Sequence, residues 1–192
     1  LGTIVGLVAG YFGGRTDATL DLATNAVLVI PNIPLLILLA SFAGTVGPMA
    51  IMAIIALTSW PWGARMTRSQ TMALRQREFV VAARMVGEPH WRVIFVEILP
   101  NLVPLIGINV VGSIIYAIVA QTTLEYLGFG DPLQVTWGTM LYNAQNSSAI
   151  ILGAWWDIGA PAAGIALIGL GLALVNFTFD EIANPQLRSG PA

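Results

Sequence analysis

Long uncharged blocks, rather than stripes, organise this sequence. Residues 23–44, 46–63, 98–121 and 158–179 carry no charged side chain, and each approaches or exceeds the ~20 helical residues needed to cross about 30 Å of hydrocarbon. Their apolar character is continuous rather than confined to one helical face or to alternate positions, so lipid is the solvent they are built for. Four spanning helices are therefore predicted. A fifth comes from LGTIVGLVAGYFGG at 1–14, which reads as the second half of a helix that begins ahead of residue 1. It lacks the charged start and small-residue cleavage site of a signal peptide.

The block 132–156 is also uncharged, but Gln134, Thr136, Asn143, Gln145, Asn146, Ser147 and Ser148 interrupt it. Facing these groups to lipid is costly, which predicts a surface segment that does not span.

Composition strengthens the membrane reading and narrows the chemistry. The 192 residues are 56% hydrophobic and 9% charged, against roughly 25% charged in soluble domains. The chain has no cysteine, no lysine and one histidine, His90, which removes disulfides, thiolate nucleophiles and histidine-rich metal sites. With no internal repeat or linker, residues 1–192 are read as one all-α membrane domain.

Charge gives the spans a direction. With five crossings, Arg15, the six arginines from Arg65 to Arg92, and Arg188 fall on one side, while Glu125, Asp131 and Asp157 fall on the other. Arginine gathers in cytoplasmic loops. The loop 64–97 and the C-terminus are accordingly expected in the cytoplasm and the segment 122–157 outside it. Trp60 and Trp62 at one end of a span, and Trp155 and Trp156 ahead of another, suit an interfacial aromatic belt.

The loop has a plan of its own. Residues 66–86 contain no Pro or Gly and predict a helix that extends the preceding span. Gly87 would stop it, Pro89 would open a short new helix, and Pro100 would mark the turn into the next span. Ala82 and Ala83 leave room near the hinge for another backbone, and His90, Trp91 and Arg92 form a polar, aromatic tip suited to a protein groove. On charge alone, the favoured reading of such arginines is that they are topology signals and contacts for anionic lipid.

The spacing of Ala82, Ala83, Gly87, Leu99 and Pro100 resembles the "EAA" loop of ABC importer permeases. Val81 stands where that family usually has glutamate, and Glu97 where Ile or His is common. The stretches GYFGGRTDATLDLATNAVLVIPNIPLLIL at 10–38, TTLEYLGFGDPLQVTWGTML at 122–141 and DEIANPQLR at 180–188 resemble, in the same order, the C-type permease subunit of dipeptide and oligopeptide importers. The resemblance implies a type I ABC importer permease fold of six spans, the N-terminal one preceding this chain. It implies that residues 88–95, with Glu88, Pro89, His90, Trp91 and Arg92, are a coupling helix docking on an ATPase. The implied partners are a second permease chain as a heterodimer, two ATPase subunits that bind ATP-Mg, and an extracytoplasmic solute-binding protein, all at a prokaryotic inner membrane. No cofactor is implied in this chain, no catalysis and no nucleic acid. Oligosaccharide or nickel are the alternative substrates.

Asn109, Ser113 and Tyr116 recur on one face of the span 101–121, with Gln121 near its end; this face could line a solute path or bond across helices. Gly6, Gly10 and Gly14, four apart, predict close helix packing, and Pro34 and Pro104 allow kinks.

Two rivals are weighed. GFGD at 128–131 matches the Gly-x-Gly-Asp of intramembrane aspartyl proteases, but no full span contains a second aspartate. A self-contained channel or secondary transporter would be expected to show inverted repeats or intramembrane charges, and neither is present. Without lysine there is no Walker A motif, so ATP hydrolysis would belong to a partner.

Overall fold

A computed structural model describes residues 1–44 and 47–183. Among them the chain is helical, with no β-strand: α1 Gly2–Phe12, α2 Gly14–Val29, α3 Asn32–Ala43, α4 Pro48–Leu74, α5 Glu78–Met85, α6 His90–Arg92, a π-helical segment Val93–Ile98, α7 Leu99–Tyr126, α8 Trp137–Asn146 and α9 Trp156–Ala183. Arg188 and most of the terminal stretch 180–188 lie outside the described residues.

Among the described residues, two uninterrupted helices are long and apolar enough to cross a membrane, His90–Tyr126 and Trp156–Phe177, and a third crossing arises if the pair α2 and α3 counts as one span. The expected single span 23–44 is broken. Pro31 has no N–H to continue the ladder and disfavours helical backbone at the residue before it; Ile30 is extended, and the chain bends by 82° between the two helices. Pro34, in the first turn of α3, interrupts nothing. The helix α4 has 27 residues, but its uncharged part ends at Ala64, before Arg65, at the short limit for a span. The apolar start of the chain forms the 11-residue α1, about 16 Å long.

Two readings of the charged loop change. The helix expected over 66–86 stops at Leu74 and resumes at Glu78. The Arg75 guanidinium there donates to the Tyr11 carbonyl (Nη1 to O, 3.1 Å), one of the last carbonyls of α1 that lacks an intrahelical partner. That contact lies 64 residues away, so no sequence window could report it. Pro100 does not turn the chain. His90–Tyr126 is one 37-residue helix, and the carbonyl four residues before Pro100, that of Val96, falls in the π-helical segment, whose wider turn accommodates the ring.

The contacts divide the residues into two compact units, one containing 1–30 and 59–110, the other 31–58 and 111–177. In the first, Leu7, Tyr11, Val80, Val93, Ile94, Ile98 and Leu102 form a buried cluster. Here α1 lies directly on the backbone of α4. A Cβ built on Gly6 would stand 2.6 Å from the Ala64 carbonyl oxygen and 2.7 Å from Thr67 Cβ, and one on Gly10 would stand 2.7 Å from the Arg68 carbonyl oxygen. Gly2 meets Trp60 in the same way, whereas Gly14 touches nothing. The packing stripe is thus Gly2, Gly6 and Gly10, one turn earlier than expected.

In the second unit, Leu36 and Ala40, Ile51 and Ile55, and Ala120 and Leu124 meet as three pairs four residues apart, one pair from each of α3, α4 and α7. The segment expected not to span contains the ten-residue α8 followed by turns, too short to cross.

Candidate functional site

The charged loop is a pair of helix ends joined by a glycine-dependent cap. At the end of α5, Gly87 N–H donates to Arg84 O (3.0 Å) and Glu88 N–H to Ala83 O (3.1 Å), with Gly87 at φ 84. This is the Schellman arrangement, in which two otherwise unpaired carbonyls are satisfied because one residue adopts left-handed backbone. The spacing of Ala83 and Gly87 therefore has a local physical cause. Ala82 is exposed and Ala83 half-buried against the cluster around Val80.

Pro89 caps the next helix and His90–Arg92 is its first turn. Beyond the turn, Val93, Ile94 and Ile98 are buried, Leu99 is half-buried and Pro100 is exposed. Apolar side chains on either side of the cap are exposed: Trp91 is 64% exposed, and Met85 and Val86 are each 84% exposed. Glu88 pairs with Arg92 at 3.4 Å. Sequence reasoning missed what holds this turn. His90 Nδ1 and Tyr11 Oη share a hydrogen bond of 2.9 Å, whose donor depends on the imidazole tautomer, and Arg84 lies over the Tyr11 ring at 4.5 Å.

Several loop arginines have specified partners instead of serving only as topology signals. Arg68 bonds Asp17 twice, at 2.5 and 2.8 Å, and approaches Asp21 at 3.5 Å; Arg65 donates to Asn25 Oδ1 at 2.6 Å. Asp17, Asp21 and Asn25 are four residues apart, so they share one face of α2 opposite α4. That periodicity was the signal available in the sequence.

The polar residues of α7 are differently employed. Ser113 is exposed, and Asn109, Tyr116 and Gln121 are half-buried. The Tyr116 hydroxyl donates to Asn32 Oδ1, and Gln121 Nε2 donates to Glu125 Oε1 at 2.9 Å. Glu125 itself, expected in an outer loop, is 3% exposed and is the hub of a polar knot. Thr136 Oγ1 donates to Glu125 Oε2 at 2.5 Å, while also accepting the Thr139 N–H that caps α8. Gly128 closes a Schellman cap on α7 at φ 93, and Gly130 lets the chain pass the Glu125 side chain, where a Cβ would stand 2.8 Å from Cγ. Both glycines of the GFGD motif are thus explained by backbone geometry.

Comparison with known proteins follows the same lines. A family model described as "Binding-protein-dependent transport system inner membrane component" matches residues 2–189. The "Oligopeptide transport system permease protein OppC" of Mycobacterium tuberculosis is 33% identical over 190 residues, covering 96% of this chain and 63% of that protein. The "Dipeptide transport system permease protein DppC" of Alkalihalophilus pseudofirmus is 31% identical, covering 98% and 61%. The "Probable D,D-dipeptide transport system permease protein DdpC" of Escherichia coli is 30% identical, covering 97% and 61%. The chain spans about three fifths of the length of these curated relatives.

Proposed function

This chain belongs to the family of binding-protein-dependent transport inner membrane components, and from that premise we propose that it is part of the permease subunit of an ATP-driven importer of di- or oligopeptides. Its partners would be a second permease chain, two ATPase subunits and an extracytoplasmic binding protein, with the chain crossing an inner membrane five times and residues 64–97 in the cytoplasm. ATP would be bound and hydrolysed by the partners, and this chain would carry out no covalent step.

The observation that supports this best is the continuity of His90–Tyr126. A docking surface around Trp91, Met85 and Val86 would be rigidly joined to a spanning helix, so closure of the ATPase on residues 88–95 would displace that helix as one body. Packed helices shift as units between discrete arrangements. The Gly87 cap would let α5 and the spanning helix change their angle, and the Tyr11 to His90 contact would tie the movement to α1. Asn109, Ser113, Tyr116 and Gln121 would line the solute path; the bonds of Tyr116 to Asn32 and of Gln121 to Glu125 would then exchange during the cycle.

The test is to purify the tagged full-length protein from its own host in mild detergent and identify what accompanies it. A Walker-motif ATPase and a second permease are expected. Replacing Trp91 by Arg is expected to lower ATPase recovery by at least about tenfold, as for an aromatic anchor in a groove. Full recovery with the variant would remove Trp91 from the interface, and a chain that purifies alone in several detergents would remove the importer reading.

Gly87 gives a second expectation. No atom lies within 4 Å of a Cβ placed there, so substitution acts only through φ. Gly87→Asn, which tolerates left-handed backbone, is expected to retain most transport. Gly87→Val, at a cost of roughly 1–2 kcal/mol, is expected to lower uptake per ATP hydrolysed while leaving insertion intact. Equal uptake by the two variants would refute the hinge role.

A further inference from the structure

Where α1 ends, the first unit contains a cavity of about 360 Å³ lined by Tyr11, Phe12, Arg75, Arg84, Glu88 and His90. We propose that it binds a phosphate-bearing anion, presented either by the headgroup of an anionic phospholipid or by a free phosphate compound. The inference rests on the cytoplasmic placement of residues 64–97 for its biological setting, but not for the chemistry of the site.

The charge balance carries it. Among the described residues the ion pairs within 4.0 Å are Arg68 with Asp17, Arg68 with Asp21, and Arg92 with Glu88. Arg75 and Arg84 therefore line one cavity with no carboxylate within ion-pair distance of either. The cavity's one acid, Glu88, places Oε1 3.4 Å from Arg92, which does not line the cavity, and its buried Oε2 has no hydrogen-bond partner, so it offsets only one of the two guanidiniums. Net charge inside is positive.

Both guanidiniums are also held in place. Arg75 is fixed by its bond to the Tyr11 carbonyl, which uses one of its five donors. Arg84 lies over the Tyr11 ring, its Cζ 4.5 Å from the ring centroid. Planar forks preset in this way match the oxygens of phosphate. The volume falls within the range of small-ligand sites, and Tyr11 Oη and His90 add polar groups at the wall. Phe12, 48% exposed, offers apolar surface beside the opening, as an acyl chain would require. A basic pocket beside a spanning helix is a form that headgroup recognition takes.

The site joins the ends of α1 and α4 to α5 and to the first residue of the proposed coupling turn. An occupant would stiffen that junction.

The experiment uses the purified full-length protein with whatever partners accompany it, stripped of lipid in an amphipathic polymer. Dioctanoyl phosphatidylglycerol and inorganic phosphate are the two probes, and binding is followed by native mass spectrometry and calorimetry. Binding of the lipid alone identifies a headgroup site, and comparable binding of phosphate identifies a soluble ligand; either supports the proposal. Arg75→Gln and Arg84→Gln are each expected to weaken binding about tenfold. Glu88→Gln is expected to strengthen it several-fold, because it removes an opposing charge. That gain keeps the test decisive even if an arginine variant fails to assemble. Binding of neither probe, or binding that Glu88→Gln leaves unmoved, overturns the proposal. Transport is not measured, so an importer reading that fails by co-purification leaves this result standing, and the reverse.

Discussion

Gly6→Val is expected to be the most damaging single substitution in this chain short of a charge placed in a span. Its Cβ would stand within 3 Å of the Ala64 carbonyl oxygen, Thr67 Cβ and Arg68 N, two of them backbone atoms that cannot rotate away. Either α1 separates from α4 or both helices distort, at roughly 3 kcal/mol, the upper end of overpacking costs. Separation would also disturb Tyr11, which α1 places against Val80, Ile94 and the rest of the buried cluster. We expect the steady-state level of the variant to fall several-fold, with a lower thermal midpoint in detergent. Gly112→Ala is the control. That helical glycine has no atom within 4 Å of a Cβ, and alanine there is expected to be neutral or stabilising by up to about 1 kcal/mol. Equal behaviour of the two variants would show that α1 does not pack on α4 as described.

Gly138→Val is expected to release α8 from the end of α7. The added Cβ would collide with Glu125 Cβ, and would stand 2.5 Å from its Oε2 and 2.9 Å from the Thr122 carbonyl oxygen. Clearing that space pulls Thr136 from Glu125 and leaves a buried carboxyl short of a donor, which costs about 1–3 kcal/mol in addition to the overlap. The chain's lack of cysteine makes this easy to read. Ala149, beyond the end of α8, is 2% exposed, so Ala149→Cys is expected to resist thiol labelling in the parent chain and to react in Gly138→Val. Unchanged labelling together with an unchanged thermal midpoint would show that Glu125 does not anchor this segment. Glu125→Ala is expected to act in the same direction but more weakly, because it deletes two hydrogen bonds without forcing the backbones apart.

Some of this architecture could be read directly. Block length and lack of charge located the blocks 98–121 and 158–179, which lie within the helices His90–Tyr126 and Trp156–Ala183, because hydrocarbon imposes one requirement on every residue of a span. The polar residues of 132–156 announced a segment that does not span, and only the structure shows the ten-residue α8 and the turns in it. Gly87 stood out because a helix can end in left-handed backbone most cheaply at glycine. Prolines were less legible. Pro31 breaks a block that by length and apolarity reads as one span, yet Pro100, with the same missing donor, is absorbed by a π-helical segment.

The charged and polar residues show where the boundary lies. Arg65 and Arg68 counted in the sequence only toward an expected cytoplasmic loop, and their partners Asn25 and Asp17 lie 40 and 51 residues away. Glu125 looked like one of three outer acids, and only the approach of Thr136 and Gly138 makes it a buried hub. Tyr11 and His90, 79 residues apart, gave no mutual signal. By itself the sequence determined which blocks are apolar and helical, the break at Gly87, and the family. Those depend on transfer free energy, backbone sterics and residue order, all of which act locally along the chain. The tertiary structure alone decided which glycines touch a neighbour, which arginines are neutralised and which two are left facing a cavity, because these depend on distances between segments remote in sequence.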